Sequence, residues 1–513
     1  MRSSSRIFVN TLAQYIRTII NMVLSLYSSR LVLNILGVED YGIYALVAGV
    51  VSMLSFITNS LVSSTQRYLS VAQGIGNLSR LKEIFSNSLY LHIIIGLGIT
   101  IILELLTPAI FNGFLNIPSN RIGVAKLLYQ FVVLMVYISF IAAPYKALLV
   151  SRENIIYTSF VDVLDGILKV MLVLLLPYAT FDKLLAYGCI MLLIQVLNLL
   201  AYSVFAHSRY EEAVIPRFKR INYSYIKELL SFTGWMVYST VCITAKTQGL
   251  AVVLNKALDT VANAAYGIGI QISSMLSFVS SSLNNAIAPQ LMSAEGSQNR
   301  SHMYFLAEVG SKFSFLLLAM IGIPTLFEMP TLLKVWLGDN VPSNTILWSS
   351  TFIIAQVIDM LSTGLGLANK AIGNVARYTI FTTTPKLLVL PIGWLLLKFD
   401  CPLWTVCGTL LFFETLCMFV RIWLFRGQDG FDMGKYIYTV IIKSMIPVLV
   451  SFILCKYLHS VVSIEYRLFV TYIVSMLLFA TTTYFFVLSA KEKEILTTML
   501  NKFISKIRYI SVR

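Results

Sequence analysis

The sequence predicts an all-α polytopic membrane protein of about 14 transmembrane helices. Two six-helix lobes related as a parallel repeat are followed by two extra C-terminal helices. Three observations predict this. The 513 residues are 57% hydrophobic and only 12% charged, about half the charge of a soluble chain of this size. Apolar runs recur from end to end, each near the roughly 20 residues that cross a bilayer. One stretch also occurs twice: Tyr44–Gly74 lies over Tyr266–Gly296 without a gap, with 11 of 31 positions identical. Chance in so biased a composition gives about two or three.

Composition excludes a soluble enzyme. The four histidines are scattered without metal-ligand spacing, and the six cysteines fall mostly inside apolar runs, where they read as small hydrophobic filler. No Walker A, GxGxxG or HExxH sequence occurs, so ATP-driven pumping by this chain has no support. Met1–Asn10 leads into a long helix without a small-residue cleavage site. It reads as a retained cytoplasmic end.

In order, the spans read 9–33, 42–72, 84–107, 124–149, 155–177, 184–206, 227–254, 260–291, 304–327, 344–368, 375–397, 403–425, 437–458 and 467–489. Spans 42–72 and 260–291 exceed the bilayer, so they tilt, bend or project, and Pro289 can kink the second. With the N-terminus inside, the inside segments carry 21 Lys and Arg and the outside loops 6. That imbalance supports the orientation and the even helix count. It also accounts for the net charge of +15, so no nucleic acid is implied, and contact with anionic membrane lipids is compatible. An offset of six helices keeps both halves pointing the same way, as in parallel-repeat transporters with a site between the halves. The expected domains are 1–206, a cytoplasmic linker 207–226, 227–425, two further helices in 426–489, and a basic amphipathic tail 490–513 lying on the membrane surface.

The duplicated helix is polar along one side. Ser52, Ser55, Asn59, Ser63 and Gln66 recur every three or four residues in the first copy; Ser274, Ser277, Ser281 and Asn285 do so in the second. Such spacing places each set on one helix face. Two such helices, one per half, are expected to line a wet cavity.

The segments SSRLVLNILGVEDYGIYALV (Ser28–Val47), SSTQRYLSVAQG (Ser63–Gly74) and APYKALLVSREN (Ala143–Asn154) resemble the multidrug/oligosaccharidyl-lipid/polysaccharide (MOP) exporter superfamily. The likeness is to its bacterial polysaccharide flippases, the O-antigen and capsule repeat-unit translocases. The resemblance implies a multi-pass protein of the bacterial cytoplasmic (inner) membrane with both termini cytoplasmic. It implies movement of an undecaprenyl-diphosphate-linked oligosaccharide from the inner to the outer leaflet, without an enzymatic step or a cofactor. Implied partners are the lipid-linked substrate, a polysaccharide polymerase and chain-length machinery. Na⁺ or H⁺ is a candidate coupling ion.

Arg17 belongs to a polar stripe with Asn21 on the first span. An arginine at bilayer depth costs about 2.5–3.5 kcal/mol, so it faces protein or water. A diphosphate suits its forked donors, and the related peptidoglycan-precursor flippases use arginines in the first helix. A structural ion pair, or snorkelling to the inner interface, is the alternative. Lys246 on span 7 is the second lobe's candidate cation, with a structural ion pair as its alternative. Gln66 and Arg67 sit at the inner end of span 2, placed to meet the headgroup or to anchor at the interface. Gln271 and Asn285 suit sugar hydroxyls or interhelical bonds. Asp165 and Lys169, with Asp162, share a face of span 5 and form an ion pair or a coupling site. Asp359 has no basic neighbour on its own span and is the isolated coupling candidate. Glu414 and Arg421 read as a pair on span 12. No metal ligand set is expected.

The reading these residues support best is a lipid-linked oligosaccharide flippase working by alternating access. A MATE-like cation-coupled multidrug exporter predicts a carboxylate-centred aromatic pocket, against which the Ser/Asn/Gln stripes argue. A lipid-linked peptidoglycan precursor flippase shares the helix count. A glycosyltransferase or polymerase needs large outside loops that this chain lacks.

Overall fold

The computed structural model describes residues 3–52, 55–111, 117–215, 222–258, 260–338, 341–490 and 492–494. Every regular element among them is a helix. The tail expected to lie on the membrane falls, from residue 495 on, outside the described residues, as do linker residues 216–221.

Two compact units form. The first comprises Val9–Val237 and Met292–Gln298; the second comprises Tyr238–Leu291 and the described residues from Asn299 on, with those before Val9. The first unit contains α1 (Ser3–Ser52), α2 (Ser55–Ile75), α3 (Leu78–Ala109), α4 (Ile122–Ser151), α5 (Ile155–Leu174) and α6 (Lys183–Arg209). Gly37 interrupts α1 at φ 81° and ψ 170°, a conformation that side chains resist and glycine permits. α4 is the central helix, packed on α2, α3 and α6. Its Tyr129 is fully buried and donates to the Leu103 carbonyl at 2.8 Å. Around it Ile43, Val132 and Leu184 close a dry core.

Helix starts follow the repeat. Asn77 caps α3 by accepting from the Arg80 amide, and Asn299, its equivalent in the second copy, caps α9 (Arg300–Phe327) by accepting from the His302 amide. Asparagine favours this position because its carboxamide oxygen satisfies a free N–H.

At the opposite end of the first unit Arg121 begins α4, where the helix dipole disfavours a cation. Asp40 and Asp182 offset this. Arg121 donates Nε to Asp40 at 2.9 Å and Nη1 to Asp182 at 2.6 Å. Burial raises the Asp182 pKa, but Arg121 and the Leu184 and Leu185 amides outweigh burial and hold it below its usual value. A depressed carboxyl stabilises the fold above its unfolded pKa, and this is lost as pH falls through the folded one. Asp182→Asn keeps the cap and removes the charge. It is expected to cost about 1 kcal/mol at pH 7. In unfolding experiments in detergent, that difference from wild type should shrink below about pH 4, where aspartates titrate.

α7 (Tyr223–Ala257) starts in the first unit, where Thr233 donates to Ser64 at 2.9 Å. The second unit continues with α8 (Thr260–Gly296), α9, α10 (Met329–Leu337), α11 (Thr345–Met360), α12 (Thr363–Ile372), α13 (Val375–Thr383), α14 (Val389–Lys398) and α15 (Leu403–Leu424). Pro289 does not interrupt α8. A 3₁₀ turn, Thr384–Leu388, separates α13 from α14. α16 (Met433–Tyr436) runs through a π-helical turn into α17 (Lys443–Val461), and α18 (Ile464–Thr482) follows. These last helices are fixed to α9 and α10 by Glu328, which is fully buried and accepts from Arg467 Nε at 3.1 Å and from Thr471 and Thr331 at 3.2 Å. A buried carboxylate is tolerated when its oxygens are this fully satisfied.

Among the described residues, 10 helices are long and apolar enough to cross a membrane, and the α11–α12 pair, bent by 47°, makes an eleventh. The chain is a multi-pass membrane protein. The three expected spans that miss on composition are those of α2, α5 and α8. All three form, with 21, 20 and 37 residues. They miss because they are polar: α5 carries Asp162, Asp165 and Lys169, and α2 and α8 carry the serine stripes.

Candidate functional site

Each unit contains a polar pocket of its own. In the first, Asn21, Ser25, Ser28, Tyr41, Asp165 and Lys169 line a cavity of about 320 Å³. That is the lower end of the range for small-ligand sites, about 300–1,000 Å³. Gly166 lets α1 approach: a Cβ there would lie 3.1 Å from Asn21 Oδ1 and 2.9 Å from Leu24 Cδ1. Asn21 Oδ1 is buried without a partner.

Next to this pocket runs an ion network on one face of α5. Arg17 Nη1 donates to Asp162 at 2.7 Å, Tyr202 donates to the same carboxylate at 2.9 Å, and Lys146 reaches it at 3.4 Å. One turn on, Asp165 pairs with Lys169 at 2.7 Å and accepts from Asn198 Nδ2 at 2.7 Å. Among the described residues, three cations thus meet two carboxylates.

The second unit has a cavity of about 310 Å³ lined by Lys246, Ser274, Ser277, Gln356, Asp359, Lys386 and Glu414. Here the network is more deeply buried. Lys246 pairs with Glu414 at 2.8 Å, Lys386 pairs with both Glu414 and Asp359, and Arg421 Nη1 pairs with Asp359 at 2.8 Å. Lys386 sits on the 3₁₀ turn after Pro385, where the helix breaks. Broken helices within membranes are found where protein or a wet cavity takes up the freed backbone. Again, among the described residues, three cations meet two carboxylates.

The profile of the family described as polysaccharide biosynthesis protein matches residues 4–295, more than half of the chain. The chain belongs to that family. A relative of this polysaccharide biosynthesis protein is the uncharacterized membrane protein EpsK of Bacillus subtilis strain 168, 22% identical over 338 residues. That match spans 65% of each chain, so just under two thirds of the relative's length is covered. The fold is that of MATE transporters of the MOP superfamily. A MATE in the bent conformation superposes with a TM-score of 0.73 at 14% identity, covering 86% of this chain and 99% of that one. A MOP superfamily transporter from Pyrococcus furiosus gives 0.69 at 15%, covering 85% and 96%. A Vibrio cholerae MATE transporter gives 0.70 at 16%, covering 83% and 98%. The expected all-α architecture holds, with the fold of these transporters.

In this polysaccharide biosynthesis protein the two pockets gather some of the expected residues: Asn21, Asp165 and Lys169 in one, Lys246, Ser277 and Asp359 in the other. Arg17 joins the first through Asp162. Asn59, Gln66, Arg67, Gln271, Ser281 and Asn285 line neither pocket. Arg67 is buried with its guanidinium 4.6 Å from the Tyr68 ring centroid and 5.0 Å from that of Phe232, a cation–π setting. Ser277 and Ser281 bond carbonyls of their own helix at 2.9 and 3.0 Å. Gln271, Ser281, Asn285 and Asn59 are exposed, and the Ser55 side chain lies outside the described residues.

Two expectations are corrected. Asp359 is not isolated: its partners, Lys386 and Arg421, come from other elements, the turn after α13 and helix α15. Glu414 and Arg421 do not pair with each other. Glu414 takes two lysines, and Arg421 takes Asp359. Lys386 and Lys146 were missed as site residues. Each is a lysine inside an otherwise apolar span, itself the signal of a functional position in a membrane.

Proposed function

We propose that the protein is a flippase carrying a polyprenyl-diphosphate-linked oligosaccharide across the bacterial cytoplasmic membrane, from inner to outer leaflet, for surface polysaccharide such as O-antigen or capsule. The observation that carries this is the excess of one cation in each network, half-buried in the first unit and more deeply buried in the second: Arg17, Lys146 and Lys169 against Asp162 and Asp165, and Lys246, Lys386 and Arg421 against Asp359 and Glu414. An unbalanced cation at bilayer depth is costly, and a passing diphosphate supplies the missing negative charge. The pockets take the charged head while the polyprenyl chain stays in lipid. Presenting them in turn to the two faces is alternating access. No covalent step or cofactor is needed. Na⁺ or H⁺ coupling, cytoplasmic termini, and hand-over to a polymerase and chain-length machinery belong to the same proposal.

A cation-coupled drug exporter is the rival on the same fold. It calls for a carboxylate open to a cation, whereas Asp162, Asp165, Asp359 and Glu414 each hold a cationic side chain. In a host lacking the gene, lipid-linked repeats should accumulate in the inner leaflet. Complementation with Lys386→Met removes the excess cation of the second unit but leaves the Glu414–Lys246 and Asp359–Arg421 pairs. Outer-leaflet repeats should fall about tenfold or more, the loss of one charge-assisted interaction. Unchanged surface glycan with new drug sensitivity would move the assignment to the rival.

A further inference from the structure

At one end of the second unit α12 turns into α13 through Gly373, at φ 94°. Asn374 sits at the N-cap of α13, and no side chain caps the helix. An uncapped start leaves backbone N–H groups unsatisfied and carries positive partial charge. A second feature stands beside it. Asn369 and Arg377 line a cavity of about 80 Å³ together with Tyr378 and Gln428. Asn369 is 8% exposed, and its amide nitrogen has no hydrogen-bond partner. The buried Tyr378 hydroxyl has none either. A buried donor left unsatisfied is destabilising, so two on residues that line one cavity point to a ligand that accepts hydrogen bonds.

The lining explains what that is. An exposed guanidinium, an amide nitrogen, a phenol and a helix start all donate, and no carboxylate lines the cavity. Since about 10–15 Å³ admits a water, this space holds a group of about five heavy atoms. We propose that it binds a phosphate oxyanion. Its position favours a lipid phosphodiester as the source. Ile380, Phe381, Phe419 and Trp423, on α13 and α15, two of the three helices that line the cavity, are exposed; on a membrane-spanning chain such side chains meet acyl chains, and tryptophan marks the headgroup level.

The test uses the full chain purified in detergent, titrated separately with phosphatidylglycerol and with inorganic phosphate. Binding is read by native mass spectrometry and by thermal shift. Arg377→Gln and Asn369→Leu should each weaken phosphatidylglycerol binding about tenfold, the loss of one charge-assisted or buried hydrogen bond. The same sensitivity with inorganic phosphate but not with lipid supports the oxyanion site and assigns it to a soluble phosphate. Binding of both probes unchanged in both variants overturns the proposal, as does wild type that binds neither. Arg377 is exposed, so its replacement leaves the fold intact. Neither residue lines the two pockets of the transport proposal, so failure here leaves that proposal standing.

Discussion

Glu414→Leu is expected to lower the stability of the protein by about 3–5 kcal/mol, the cost of removing one partner from a buried ion pair. Glu414 is 7% exposed at the side chain and binds two lysines, Lys246 at 2.8 Å and Lys386. Leucine leaves Lys246 without its carboxylate and Lys386 with Asp359 alone, which Arg421 already holds. Two mechanisms compete. Leucine packs better in an apolar setting than a carboxylate, and replacing a whole buried pair by apolar residues is often neutral or favourable. The single substitution leaves two cations in excess; the double substitution returns the network to the single excess cation of the wild type. Glu414→Leu with Lys246→Met should therefore recover most of the loss. Unfolding in detergent, run as a double-mutant cycle, should give a coupling of about 2 kcal/mol or more. A single-variant cost below about 1 kcal/mol, the value of a solvated pair, would show that water fills this network and would remove the case for an excess buried charge.

That network also shows how far a sequence can be read. The duplication, the helical class and the polar faces were legible, because each is a local pattern: periodicity along a helix or identity at a fixed offset. Asp165 and Lys169, four apart on α5, pair as spacing predicts. The pairing of Asp359 was not legible. Its partners come from the turn after α13 and from α15, and no spacing rule links positions on separate helices. The same limit misassigned Glu414 to Arg421, since two turns along one helix look closer than a partner on a separate element. The position of Arg67 between two rings likewise depends on Phe232 of another helix. Lys386 is the exception. A lysine after proline inside an apolar run was visible, and the cost of a charge at that depth was reason enough to single it out.

The repeat makes a sharper prediction where it ends. Gly74 and Gly296 are equivalent positions, and both are pressed against backbone. A Cβ on Gly74 would lie 2.0 Å from the Ser293 carbonyl oxygen, and one on Gly296 would lie 1.9 Å from the Val71 carbonyl oxygen. Val71 and Ser293 are themselves equivalent positions of the two copies. The contact is thus reciprocal: each glycine meets the residue three before the other glycine, inside the first unit, to which Met292–Gln298 belongs. Alanine gains at most about 1 kcal/mol over glycine from helix propensity. Overpacking costs about 1–3 kcal/mol, and more when the neighbour cannot move. Here the neighbour is main chain, and a normal C···O approach is about 3.3–3.6 Å, so the helices must separate by over an ångström. Gly74→Ala and Gly296→Ala should each destabilise by about 2 kcal/mol or more, and by similar amounts. Once one alanine has parted the helices the second meets less resistance, so the double variant should cost less than the sum. Gly98, with nothing within 4 Å of its would-be Cβ, is the control: Gly98→Ala should be neutral or stabilising. Unfolding midpoints of the four variants in one detergent decide the matter, and a neutral result at Gly74 and Gly296 would mean that the repeated glycines do not mark a close backbone crossing.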